Sequence, residues 1–415
     1  MKESKNVVAI ACGGGPAPGI NGVIAAVTIE AHRQGWKVLG IYEGFSHLAK
    51  GEKKYIELTD EYVSRIHLQG GSVLMMSRYN PTKSDEDMQR VVDTLTELGV
   101  THLVTIGGDD TAFSSASVSA FAKKSGRIIN VVHVPKTIDN DLPLPDGVPT
   151  FGYETARAMG AHEVSALLED ARTSNNRWYF VIGMGRTAGH LALGMAQSAA
   201  APLAIIPEEF PQEKIRLKQL VDIITGSIVK RSVQGTNYGV AVVAEGVIEK
   251  IAEEDLKLLG DVELDEHGHI RYAELDFGKI LKVTVADELK RIGLKASIVD
   301  KEVGYELRCA APIAYDIEYV RGLGFSAVEF LASGKSGAMI ALQNSQATPL
   351  YFEDMKDPAT GKTKVRCVNI EAANYRIARG QMTRLEKADL DNADIAKVYG
   401  LEPQQFKARY AYLFE

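Results

Sequence analysis

The stretch VVAIACGGGPAPGINGVIAAVTIEAHRQG, residues 7–35, sets the fold class. Val7 to Cys12 form a short, unbroken apolar run, the pattern of a strand buried on both faces. Gly13, Gly14 and Gly15 follow at once, with Gly19 shortly after, and the spacing predicts a helix from about Ile20. A glycine-rich turn feeding a helix start offers backbone N–H groups to an anion. The segment also reads as a tight strand-to-helix turn without a ligand. It is not a Walker loop, because no Gly-Lys-Ser/Thr follows, and Pro18 stands where the dinucleotide pattern needs its third glycine.

Working outward, similar runs recur between segments of helical period: WKVLGIY at 36–42, HLVTIGG at 102–108, IINVVHVP at 128–135, WYFVIGM at 178–184, PLAIIP at 202–207 and YGVAVVAEG at 238–246. Short β-branched runs alternating with helices predict an α/β fold with mainly parallel sheets, and they are more than one sheet comfortably needs. The breakers Pro143, Pro145, Gly147 and Pro149 suggest a domain crossover near residue 146. Residues 250–275 read as a polar, irregular surface insertion or lid.

The 415 residues suffice for two α/β domains, and 45% hydrophobic with 24% charged residues is a globular composition. Cys12, Cys309 and Cys367 are too few and too widely spaced for a disulfide framework or a zinc site, which points to a reducing compartment. The N-terminal residues lack signal-peptide character, and no stretch reaches membrane-spanning length, so a cytoplasmic location is expected. A net charge of −7 argues against a nucleic-acid partner, while leaving room for a small anion at a local basic cluster.

Two further strand ends carry chemistry. HLVTIGGDDT places Asp109 and Asp110 after a Gly-Gly turn, at the carboxyl edge where open parallel sheets bind ligands. One of these carboxylates can hold Mg²⁺; alternatively, Asp110 with Thr111 caps the following helix. VVHVPKTIDNDLPLPDG gathers Lys136, Thr137, Asp139 and Asp141. Lys136 suits a phosphate oxygen and Asp139 a general base, although Asp-Asn-Asp is also ordinary turn chemistry. The second half adds Arg177, Arg186 and Arg308, Glu245 and Tyr305. Arginines at strand ends suit phosphate esters and a carboxylate suits sugar hydroxyls, while any single arginine alone reads better as a surface ion pair.

Taken in order, GGGPAPGIN, SRYNP, GGDDT, PKTIDND, MGR, AEG and YELRCAAPIAYD resemble the phosphofructokinase family from about residue 7 to about residue 335. The resemblance implies two Rossmann-like domains with the active site in the cleft between them. The expected donor domain is 1–146 with about 309–375, and the fructose 6-phosphate domain is 147–308 with about 376–415. It implies that Gly15 approaches the donor phosphates, that Arg78 neutralises the transferred group and that Asp109 holds Mg²⁺, with Asp141 close to the metal. Thr137, Ile138 and Asp139 would meet the sugar's 1-hydroxyl, Asp139 as base. Met184, Gly185, Arg186, Glu245, Tyr305 and Arg308 would grip fructose 6-phosphate. Arg177 would reach the 6-phosphate of a neighbouring subunit, so a homodimer or homotetramer is expected.

The resemblance also bears on the donor. ATP-dependent members typically carry glycine where Asp110 stands, and bacterial ATP enzymes carry glycine where Lys136 stands. A carboxylate at 110 crowds and repels a nucleotide's α-phosphate, and a lysine at 136 can hold a pyrophosphate leaving group. These two residues are similar to the pyrophosphate-dependent subgroup, as is Tyr305 in place of the bacterial histidine. Val299 stands where the family has an arginine nine residues before Arg308, with Lys295 and Lys301 as candidate replacements. The competing readings are an ATP-dependent phosphofructokinase, a dinucleotide-dependent oxidoreductase using Glu43, and a non-catalytic subunit. No motif in 336–415 carries a chemical reading.

Overall fold

The computed structural model describes residues 6–257, 272, 275–355 and 364–414. Two compact units emerge, Met1–Ala156 with Tyr305–Arg366, and Arg157–Gly304 with Cys367–Glu415. The proline-rich stretch around residue 146 lies within the first.

The first unit holds a seven-stranded sheet: β1 (Val7–Cys12), β2 (Lys37–Ile41), β3 (Tyr55–Glu57), β4 (His102–Gly107), β5 (Asn130–Pro135), and, numbered after the four strands of the second unit, β10 (Ala338–Gln343) and β11 (Gln346–Tyr351). Its order is β11-β10-β5-β4-β1-β2-β3, parallel except at the two edges, where β3 and β11 run antiparallel to their neighbours. The central strands are mostly apolar because both faces are covered. Val8, Ile10 and Cys12 of β1 pack into one core with Ile20, Val23 and Ile24 of the helix Ile20–Arg33 and with Val320 and Leu323 of the helix Ala314–Ala332. Ala9 and Ala11 point the other way, toward Val91 and Leu95 of the helix Asp85–Glu97 and Val118 of the helix Asp109–Lys124. The period-2 alternation of a strand thus divides one apolar run between two cores. Parallel pairing brings the carboxyl ends of β1, β4 and β5 side by side.

The second unit holds a parallel sheet of β6 (Arg177–Gly183), β7 (Leu203–Ile205), β8 (Gly239–Ala244) and β9 (Ser297–Val303), in the order β7-β8-β6-β9. Among the described residues, seven of the eleven strands are those expected from the apolar runs, and both sheets are mainly parallel. The missed strands are the edges β3, β9 and β11 together with β10. Of the expected insertion at 250–275, residues 258–271, 273 and 274 lie outside the described residues. Within the remainder, Glu253–Lys257 forms one helical turn where irregular chain was expected.

The part of the chain without a motif has structural work. It supplies β10 and β11 to the first sheet. In the second unit Leu385, Tyr399, Phe406 and Tyr410 pack on Val229 of the helix Leu217–Val233. No helix among the described residues is long and apolar enough to cross a membrane.

Candidate active site

In the first unit the turn after β1 lies across the end of β4. The N–H of Gly13 donates to the carbonyl of Ile106 and that of Gly14 to the carbonyl of Ser77, both at 2.9 Å. Exposed Arg78 therefore follows directly on a residue bonded to the glycine turn. Gly14 has φ +81°, a conformation that favours glycine, and a Cβ there would lie 3.4 Å from the Nζ of Lys136. A Cβ on Gly15 would fall 1.3 Å from an Nη of Arg308, so the guanidinium fills the space that glycine leaves. The Cζ of Arg308 also stands 5.3 Å from the ring centroid of exposed Tyr305. The family resemblance implied different ligands for Gly15 and Arg308; the fold sets them against each other.

The turn after β4 settles the capping question. Gly108 is the N-cap of the helix Asp109–Lys124 and no side chain caps it, so Asp109 and Asp110 are the first two helical residues. Both add negative charge at the positive end of the helix dipole. The Asp110 side chain is exposed and has no partner among the described residues. Thr111, which the sequence offered with Asp110 as a cap, is buried instead: a Cβ on either Gly13 or Gly107 would come within 2.4 Å of its side chain. The two glycines let this threonine wedge between the ends of β1 and β4.

After β5, Lys136, Thr137, Ile138, Asp139 and Asp141 are all buried. The hydroxyl of Thr137 accepts the N–H of Asp139 at 3.0 Å, and the Lys136 N–H donates to the Gly107 carbonyl at 2.8 Å. Burial drives the Lys136 ammonium down from 10.5 to about 8, opposed by Asp139 and Asp141 and reinforced by Arg308. Asn140, at φ +58°, forms the turn between the two aspartates. Arg366 holds that turn: its Nε donates to the Asn140 carbonyl at 3.1 Å, an Nη to the Val148 carbonyl at 2.7 Å, and its second Nη to the Asn140 side chain. Sequence reasoning missed Arg366, since its contact spans 226 residues. It also gave no role to Cys12, whose thiol burial pushes up to about 12 and so keeps protonated beneath the turn.

In the second unit Met184, Gly185 and Arg186 follow β6. One oxygen of Glu245, at the end of β8, accepts the N–H of Gly185 at 3.0 Å and that of Arg186 at 2.5 Å. A Cβ on Gly246 would fall 2.3 Å from the Arg186 carbonyl, so the close approach requires glycine. Glu245 was expected to meet sugar hydroxyls; it also folds the turn that presents Arg186, which itself sits at φ +54°. Arg177, at the start of β6, bonds Asp170 at 2.9 Å, and Tyr179 donates to the same carboxylate at 2.5 Å. Val299 lies in β9 opposite Tyr179. Lys301 pairs with Glu163 at 3.3 Å, and Lys295 is exposed.

Among the described residues no three His, Cys, Asp or Glu side chains gather into a cage for a metal. The donor set at the β4 end, hard carboxylate oxygens at a helix start, fits Mg²⁺ of the kind that keeps its waters and shares phosphate oxygens. Glu43, the acid a nucleotide ribose would need, lies 3.3 Å from the imidazole of His47.

A family model described as Phosphofructokinase matches residues 7–331. The chain is 48% identical over 411 residues to a Thermotoga maritima enzyme named pyrophosphate--fructose 6-phosphate 1-phosphotransferase, with 97% of each chain covered. It is 49% identical over 405 residues to a Naegleria fowleri enzyme of the same name, covering 95% of this chain and 92% of that one. Among solved structures, a pyrophosphate-dependent phosphofructokinase from Nitrosospira multiformis superposes with a TM-score of 0.69 at 18% identity, covering 95% of this chain and 92% of its own. That similarity speaks to the fold.

Proposed function

The chain belongs to the phosphofructokinase family, and from that premise we propose that it is a pyrophosphate-dependent 6-phosphofructokinase. It transfers a phosphoryl group reversibly from pyrophosphate to the 1-hydroxyl of fructose 6-phosphate, giving fructose 1,6-bisphosphate and phosphate. The first unit, which also contains Tyr305 and Arg308, is its donor domain, and the second its sugar-phosphate domain.

The observation that carries the reading is the buried Lys136 beside the Gly14 turn, with Asp139 and Asp141 on its own strand end and Asp110 exposed at the start of the neighbouring helix. A buried ammonium facing a glycine turn suits a compact, highly charged phosphate anion. The exposed Asp110 carboxylate opposes a nucleotide, whose α-phosphate would bring a further negative charge to that place.

Asp139 takes the proton of the 1-hydroxyl as the sugar oxygen attacks the near phosphorus of pyrophosphate. The bridging P–O bond breaks, and Lys136 and Arg78 neutralise the departing phosphate and the transferred group. Gly15 presents its backbone to the donor. Asp109, with Asp141 nearby, would hold Mg²⁺, which would supply charge neutralisation for the phosphates. Thr137 and Ile138 position the sugar end, and Met184, Gly185, Arg186, Glu245, Tyr305 and Arg308 bind fructose 6-phosphate. Arg177 serves the site of a neighbouring subunit in a homodimer or homotetramer. We place the enzyme in the cytoplasm, in glycolysis and gluconeogenesis.

Phosphorus NMR of the purified protein with Mg²⁺, fructose 6-phosphate and pyrophosphate tests the reaction. Pyrophosphate should disappear as phosphate and fructose 1,6-bisphosphate appear in equal amounts, and the same mixture should be reached from the product side. Release of phosphate without the bisphosphate would refute the assignment.

A further inference from the structure

Beneath the donor site runs a chain of buried polar groups that the reaction does not use directly. His133, in β5, is fully buried. Its Nε2 lies 3.0 Å from the Gly107 carbonyl, and its Nδ1 lies 2.8 Å from the hydroxyl of Thr105 in β4. That hydroxyl lies 2.8 Å from the hydroxyl of Ser115, in the helix that begins with Asp109.

Chemistry orients the whole chain. A carbonyl can only accept, so Nε2 carries the proton and donates to Gly107. Nδ1 must then accept from Thr105, and Thr105 in turn from Ser115. Burial takes the His133 imidazole down to about 3, so this neutral tautomer holds across the working pH range. The Gly107 carbonyl at the end of the chain also accepts the Lys136 N–H at 2.8 Å. One imidazole therefore ties together β4, β5 and the helix Asp109–Lys124. These three elements carry Asp109, Asp110 and Lys136.

We propose that His133 is a positioning residue for the donor half of the site, setting the Asp109–Asp110 helix start against Lys136 through the Ser115–Thr105–His133–Gly107 chain. The idea rests on the donor assignment above. Its specific consequence is asymmetry: breaking the chain disturbs the groups that meet pyrophosphate and Mg²⁺, all in the first unit, more than the sugar site, whose Met184–Arg186 turn and Glu245 lie in the second unit. Nothing in the β5 pattern demands a polar residue at this place, since Val131 on the same face of the strand is apolar core.

His133→Leu, His133→Gln and Thr105→Val test it. Glutamine reaches to the position of Nε2 and can donate to Gly107, whereas leucine cannot. For each variant the KM values for pyrophosphate and for fructose 6-phosphate are measured, with pyrophosphate binding in the presence of Mg²⁺ followed by calorimetry. His133→Leu should weaken pyrophosphate binding and raise its KM by about 10-fold or more, the usual weight of a lost supporting hydrogen bond, with the KM for fructose 6-phosphate rising clearly less. Thr105→Val should lie in the same direction, and His133→Gln should recover most of the loss. Equal increases in both KM values, or Gln behaving as Leu does, would show a merely structural histidine and overturn the proposal. If His133→Leu does not fold, Thr105→Val and His133→Gln carry the same comparison. A wild-type protein that does not use pyrophosphate would refute the donor assignment instead, a separate outcome.

Discussion

Replacing Lys136 by methionine should make the unliganded protein more stable and the enzyme inactive with pyrophosphate. The ordinary lysine value of 10.5 falls to about 8 in the fold, chiefly by burial. At about 1.4 kcal/mol per pH unit, keeping the ammonium charged at neutral pH costs the folded state roughly 3 kcal/mol. Methionine has similar length and no charge, so Lys136→Met should recover much of that at pH 7, read as a rise in Tm. The sign with pH follows from proton counts. Between pH 8 and 10.5 the unfolded chain still holds a proton that the folded protein has lost, so the wild type gains stability as pH rises through that window. The methionine variant should lack this gain. In kinetics the same group gives kcat/KM for pyrophosphate an alkaline limb near pH 8. Lys136→Arg, whose guanidinium stays charged there, should keep residual activity without that limb. An unchanged alkaline limb in Lys136→Arg, or a Lys136→Met protein less stable than wild type at pH 7, would refute the reasoning.

Asp110→Gly removes the exposed carboxylate at the helix start; it should raise the KM for pyrophosphate and admit ATP, checked by bisphosphate formation with either donor. Glu245→Ala leaves the N–H groups of Gly185 and Arg186 without their acceptor; the KM for fructose 6-phosphate should rise about 10-fold while that for pyrophosphate holds, and Glu245→Gln should be milder. Fully buried Asp316 accepts the N–H of Gly152 at 2.9 Å and both the N–H and hydroxyl of Thr155. Asp316→Ala should therefore cost roughly 2–4 kcal/mol in denaturant unfolding, with Asp316→Asn losing less.

The central strands were readable because burial on both faces leaves them few choices. VVAIAC, HLVTIG and NVVHVP are mostly apolar for that reason. The edges escaped for the opposite reason. SIVDKEV in β9 is half polar, β11 carries Pro349 in QATPLY, and β3 is only three residues long. At the site, residue type announced Lys136 and the aspartates, but two readings of Asp110 stayed open until the helix was seen to begin after Gly108. Supporting groups were harder. His133 sits in an apolar run where an imidazole reads as core, and Arg366 meets the Asn140 turn from a distant segment without a motif. Glu245 was visible as a carboxylate at a strand end, yet its hold on the Gly185–Arg186 backbone depends on a turn geometry that residue type does not reveal.

The most direct test of the account is the kcat/KM for bisphosphate formation with pyrophosphate against that with ATP, at equal Mg²⁺ and saturating fructose 6-phosphate. The arrangement of Lys136 and Asp110 predicts a preference for pyrophosphate by orders of magnitude. Equal or better use of ATP would contradict it.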